Sequence, residues 1–264
     1  MRRATAVWTI AGALAYTAAA QSAGQAAAPA KTPRTADGHP DFSGVWWRGA
    51  DVGGRGGAPL GGGGGGRGGP APVTFPSLYQ PAAQAKAKTL ADKDDPTLSC
   101  TPTAFGTLNV SMFDVGAVGQ IVQTPKFVII LTETFHGYQI IPTDGRPHRE
   151  GMPPSYRGDA IGRWDGDTLV VDKTNFADTN WMSAEGRVSF HSDALHIVER
   201  YTRVSANTLE IEATIEDPKV LTKPWVVPKQ TLVLAPFDQL LQLDCSTADS
   251  QALIDADLKQ SPKN

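Results

Sequence analysis

From residue 117 onward, β-branched and aromatic residues gather in short runs separated by turn residues, and one run alternates cleanly. In 207–216, Leu209, Ile211, Ala213 and Ile215 alternate with Glu210, Glu212, Thr214 and Glu216. Successive side chains of a strand point to opposite faces, so this segment reads as a strand with one face buried and one wet. The same reasoning predicts strands at 117–123, 126–134, 136–142, 159–164, 167–175, 195–204, 225–235 and 239–245. Asp165-Gly166, between the β-prone runs 161–164 and 167–171, predicts a tight hairpin, because these residues tolerate positive φ. A second hairpin turns near Ser205-Ala206-Asn207, and Asp144-Gly145 opens a proline-rich loop to about Ser155. Short connections favour antiparallel neighbours. The expected fold is therefore all-β: an antiparallel barrel or strongly curved sheet, since closure removes exposed edges.

Upstream, residues 37–47 read as a turn running into a strand. Residues 53–69 hold twelve glycines in seventeen positions. Such a segment buries too little to offset its ordering entropy and is expected to be a flexible insertion. A phosphate cradle would need a preceding strand, fixed glycine spacing and a helix at its end. Here Pro70 and Pro72 follow, and no Gly-Lys-Ser/Thr is present. Residues 81–93 favour a short exposed helix on propensity. A second short helix, capped by Thr247, is expected over 248–258, making 247–264 a C-terminal helix and tail. Residues 37–246 form the expected single β domain.

Arg2 and Arg3 precede an alanine-rich apolar stretch that ends in Ala18-Ala19-Ala20. Residues 1–20 read as a cleaved signal peptide and 21–36 as an Ala/Pro/Thr-rich linker, placing the protein in a bacterial periplasm or outside the cell. The stretch is weak as a membrane anchor, so no span is expected after cleavage. A formal charge of −3 gives no support for nucleic-acid binding. The two cysteines exclude a disulfide-dense scaffold and a four-cysteine zinc site. In an oxidising compartment Cys100 and Cys245, placed around the strand-rich region, are favoured as a disulfide over two buried thiols.

Four segments carry a resemblance. Residues 37–46 (DGHPDFSGVW), 162–172 (GRWDGDTLVVD), 192–200 (SDALHIVER) and 217–225 (DPKVLTKPW) together resemble a family of exported bacterial proteins of uncharacterised activity. The resemblance implies a shared fold and export, with no catalytic residues to carry over. Gly44-Val45-Trp46 also resembles the Gly-x-Trp of lipocalin-like barrels, which implies a Trp plugging the closed end. The glycine insertion and the long gap before Cys100 depart from a compact lipocalin.

Serine-hydrolase, zincin, Cys-x-x-Cys and Walker motifs are absent from the sequence. If the strand predicted at 195–204 began as early as His191, His191, Asp193, Leu195, Ile197, Glu199 and Tyr201 would share one face, and His196, Val198, Arg200 and Thr202 the other. Phe127, Ile129 and Leu131 share a face with Glu133, and His136 pairs with Tyr138. The candidate acid–base cluster is therefore Glu133, His136, Tyr138, His191, Asp193, His196 and Glu199. The competing reading is a buried structural network or a solvated rim. His191 and His196 are five apart and face opposite ways, so no metal site and no cofactor are expected. Trp46, Trp164, Trp181 and Trp225 could line an apolar cavity or fill the core. The loop carrying Arg146 and His148 could close over an anionic or aromatic ligand, or be a rigid turn. Three functions follow: binding of a small, largely apolar molecule, acid–base catalysis as a lyase, isomerase or hydrolase, or a structural or surface-interaction module.

Overall fold

The computed structural model describes residues 31–49, 73–105, 118–133, 135, 137–182, 188–240 and 245. The expected signal peptide, the glycine-rich insertion 53–69, the C-terminal helix and His136 lie outside the described residues. The elements are β1 (Gly44–Trp47), α1 (Pro81–Ala87), β2 (Val118–Gln123), β3 (Phe127–Thr132), β4 (Tyr138–Pro142), β5 (Asp159–Asp165), β6 (Thr168–Thr174), β7 (His196–Ser205), β8 (Thr208–Glu216) and β9 (Trp225–Leu234). Three short 3-10 turns flank α1. The helix expected over 81–93 stops at Ala87. Of the strand expected at 239–245, residues 239 and 240 are not in a strand and 241–244 lie outside the described residues.

The nine strands form one all-β, nearly closed barrel in the order β4-β3-β2-β1-β9-β8-β7-β6-β5. Every ladder is antiparallel, including β1 with β9. Nine is odd, so a ring of strands alternating in direction cannot close. Following the directions round the ring leaves β4 and β5 pointing the same way. These two neighbours share no ladder; their seam is closed by side chains. A Cβ added to Gly162 on β5 would lie 2.9 Å from Ile141 Cγ2 on β4 and 3.1 Å from Thr143 Cγ2. Further along, Gln139 Nε2 donates to the Arg157 carbonyl at 3.0 Å. A parallel pair needs a crossover rather than a tight turn. Residues 143–158 supply it, and include the proline-rich loop.

The interior holds two apolar clusters at opposite ends. One gathers Phe42, Trp46, Ile121, Val128, Ile130, Ile141, Leu169, Val171, Tyr201, Leu209, Ile211 and Leu232. Trp46 is fully buried there; its indole N–H donates to the Phe42 carbonyl at 2.9 Å, and the Arg203 guanidinium lies 5.0 Å from its ring centroid. The other cluster, with Trp181, Trp225, Phe176, Phe190, Ile197 and Ile215, receives Phe75, Leu78, Tyr79 and Ala83 from the segment around α1. That segment caps the second end of the barrel.

Two details correct the strand-level expectations. Asp165 pairs with Thr168, so the central turn residues are Gly166 and Asp167 rather than Asp165 and Gly166. Gly166 has φ +60°, as suits the first central position of a II′ turn. In β3 the inward residues are Val128, Ile130 and Thr132, opposite to the face carrying Phe127, Ile129 and Leu131. The run is apolar on both faces, so alternation alone did not choose between them. The Cys100–Cys245 disulfide is present, joining residues 145 positions apart.

Candidate functional site

Strand direction sorts the candidate residues into three places. Inside the barrel, between the two apolar clusters, Glu199 and Tyr201 project from β7 and Lys173 from β6. Lys173 Nζ and Glu199 Oε2 are 2.7 Å apart, and the Tyr201 hydroxyl donates to the same oxygen at 2.7 Å. Lys173 is 0% exposed. Burial pushes its ammonium pKa down, against the raising effect of Glu199. Glu133 is buried beyond the end of β3. Lys173 escaped the sequence reading, although Leu169, Val171 and Lys173 alternate in β6 and share the inward face.

His191 is also buried, but outside the strand. Its Nδ1 lies 2.9 Å from the Ser192 carbonyl and its Nε2 3.1 Å from Asn180 Oδ1. Burial lowers its pKa. The Ser192 hydroxyl donates to Asp217 at 2.8 Å, so serine, histidine and aspartate are close in sequence or space without forming a relay. Asn180 Nδ2 donates to the carbonyls of Pro102 and Tyr156 at 2.8 and 3.0 Å.

Of the remaining described candidates, Asp193, His196 and Tyr138 lie on the outer wall. Asp193 is exposed and pairs with Lys219 at 2.6 Å. His196 begins β7 and faces outward. A row of alternating imidazoles and carboxylates crosses this wall. His196 lies 3.3 Å from Glu216 Oε2 and 3.1 Å from Asp172 Oδ1; His148 lies 3.1 Å from that same Asp172 oxygen and 2.9 Å from Asp159 Oδ2. Among the described residues, no group of three or more His, Cys, Asp or Glu is arranged to hold a metal ion.

Asp159 is the inner end of that row and the start of the seam. Its side chain is 5% exposed. It takes Arg149 Nε at 2.6 Å and the Arg149 backbone N–H at 3.1 Å. Burial raises its pKa, but these hydrogen bonds and that with His148 outweigh it, and the net direction is down. The 143–158 crossover is thereby fastened to the barrel wall.

Between the crossover and the splayed end of the seam lies a groove of about 610 Å³. Tyr138, Ile140, Pro142 and Phe127 form one side, and Ser155, Tyr156, Gly158, Ala160 and Ile161 the other. Tyr138, Ile140 and Tyr156 are among the few large apolar side chains left exposed, Tyr138 at 66%. Arg146, Arg149 and Arg157 also line it. Arg146 forms a two-point pair with Asp144 at 2.8 and 2.5 Å and lies 5.3 Å from the Phe127 ring centroid. A Cβ on Gly137 would meet the Arg157 guanidinium at 2.6 Å, so this glycine makes room for it.

The four tryptophans do not line this groove. Trp46, Trp181 and Trp225 are buried in the two clusters. Trp164 is partly buried and stacks on His39, centroids 4.3 Å apart. Arg146 does line it, and His148 braces it through Asp159. Tyr156, Arg149 and Arg157 were missed, because nothing local in the sequence says that β4 and β5 meet. Comparison with family models, with curated proteins and with solved structures gives no match.

Proposed function

We propose that the protein is an exported barrel that binds a small, largely apolar molecule, and that it does so in the seam groove rather than in the barrel interior. The observation that carries this reading is the groove itself. Exposed Tyr138, Ile140 and Tyr156 converge on it, beside three arginines. Concave apolar surface with a few placed polar groups is the usual form of a small-molecule site. The interior offers less: bulky Trp46, Tyr201, Phe42 and Phe176 fill it. The disulfide fits export, and no described helix is long and apolar enough to cross a membrane. The resemblance to exported bacterial proteins points the same way.

The acid–base alternative is weaker in this geometry. Glu199 is 2% exposed and engaged by Lys173 and Tyr201, while His196 and Asp193 lie on the outer wall. The neutral fluorescent probe N-phenyl-1-naphthylamine tests the binding reading. Its fluorescence should rise on adding the protein. Ile140→Asp should weaken binding about fivefold or more, since a charge replaces roughly half-exposed apolar surface, with melting temperature nearly unchanged. Equal binding by this variant would exclude the groove as the site. Absence of any probe binding would favour the structural-module reading.

A further inference from the structure

We infer that the seam groove selects a small organic anion, an apolar ring body with one anionic head, and that Arg149 is the residue that receives the head. The inference rests on the groove being the binding site.

Arg149 is built for this role by what it does not use. A guanidinium has five N–H donors in a planar fork. One of them, on Nε, is spent on Asp159. The side chain is 61% exposed, and its two Nη nitrogens make no hydrogen bond among the described residues. The four donors at that end form the fork that meets carboxylate or sulfonate oxygens two at a time. Asp159 fixes the direction. It holds both the backbone N–H and the Nε of Arg149, and it is itself 5% exposed and held by His148. A long surface side chain normally loses rotamer freedom on binding; here part of that ordering already exists in the free protein.

The charges around the head position agree. Arg146, Arg149 and Arg157 line the groove, against Asp159 alone. Arg146 and Arg149 are each paired with a carboxylate, but Asp144, just outside the lining, takes two side-chain donors of Arg146, whereas Asp159 takes only the Nε of Arg149. Arg149, whose side chain is held at Nε alone, presents an unfilled fork to the groove. The protein as a whole carries a formal charge of −3, so attraction of an anion must be local. Tyr138, Ile140 and Tyr156 supply the apolar surface that distinguishes an aromatic anion from a bare inorganic one.

Two dyes with one skeleton test the assignment. 8-Anilinonaphthalene-1-sulfonate carries a sulfonate on the N-phenyl-1-naphthylamine framework; the parent amine carries none. Each is titrated by fluorescence against the whole protein, Arg149→Gln and Ile140→Asp, with melting temperatures measured alongside. The protein should bind the sulfonate more tightly than the amine. Arg149→Gln should weaken the sulfonate about tenfold or more, the scale of hydrogen bonds to a charged group, and leave the amine within about twofold. An unchanged sulfonate affinity in Arg149→Gln, or an equal loss for both dyes, overturns the role of Arg149. The groove reading survives that result if Ile140→Asp still weakens both dyes. If Ile140→Asp weakens neither, the groove reading itself fails.

Discussion

His191 and Lys173 show how burial decides what an ionisable residue does in this protein. Lys173 keeps a partner at 2.7 Å, and a buried pair of this kind costs several kcal/mol when one member is lost. His191 has no carboxylate at its ring nitrogens, and burial lowers its pKa below the ordinary 6.5. The sign follows from proton counting. Below about pH 6.5 the unfolded chain takes a proton at this position that the folded chain refuses. Stability is therefore greatest above that pH and falls as pH drops towards the folded value. Asn180 donates through its nitrogen to two carbonyls, so its Oδ1 and the Ser192 carbonyl are both acceptors at the ring, and the neutral imidazole, with a single N–H, donates to one of them. His191→Ala removes that donor and should cost about 1–3 kcal/mol at pH 7.5. It also removes the acid-side penalty. The gap in melting temperature between the two proteins should narrow from pH 7.5 to pH 5; a constant gap would show that His191 does not titrate as described. At this scale alternation alone sufficed for Glu199 and Tyr201. It failed for His191 and Asp193, because β7 begins only at His196 and the preceding residues follow no strand period.

Among the elements, those with a wet face were the most legible. β8 matches its alternation residue for residue, with Leu209, Ile211, Ala213 and Ile215 buried. β3, apolar on both faces, is legible along the chain, but its pattern does not say which face turns inward. The seam was not legible at all. Gly162 within β5 reads as an ordinary hairpin glycine, yet its missing Cβ is what allows β4 to approach. A side chain there would meet Ile141, Thr143 and Leu169 at 2.9–3.2 Å. Valine cannot rotate such contacts away, because its branch is at Cβ itself. Gly162→Val should therefore cost about 1–3 kcal/mol by overpacking and should part β4 from β5. Urea unfolding measures the first effect. Hydrogen exchange measures the second, with amides of β4 and β5 exchanging faster than those of β7 and β8. Unchanged stability with unchanged exchange would mean that the seam is held by something other than this contact.

For the whole molecule, the decisive fact is the pairing of β1 with β9, which joins Trp46 to Leu234. It converts a row of antiparallel neighbours into a ring, and with nine members it leaves one parallel, unladdered junction. No local pattern contains that information; only the count and the long-range contact together do. The disulfide acts on the same scale. It ties Cys100 to Cys245 across nearly all the strands. Covalent closure of 145 residues restricts the unfolded chain, and the chain-entropy model assigns about 5 kcal/mol to a loop of that length. If one bond carries this effect, Cys100→Ser, Cys245→Ser and the double variant should lose the same stability in denaturant unfolding, because each removes the same cross-link. Reductant should bring the unsubstituted protein to their level and leave the variants unmoved. Peptide mapping without reductant should recover the linked pair from protein exported by its host. Additive losses in the double variant, or two thiols open to alkylation in the exported protein, would show instead that the two cysteines act as separate packed side chains.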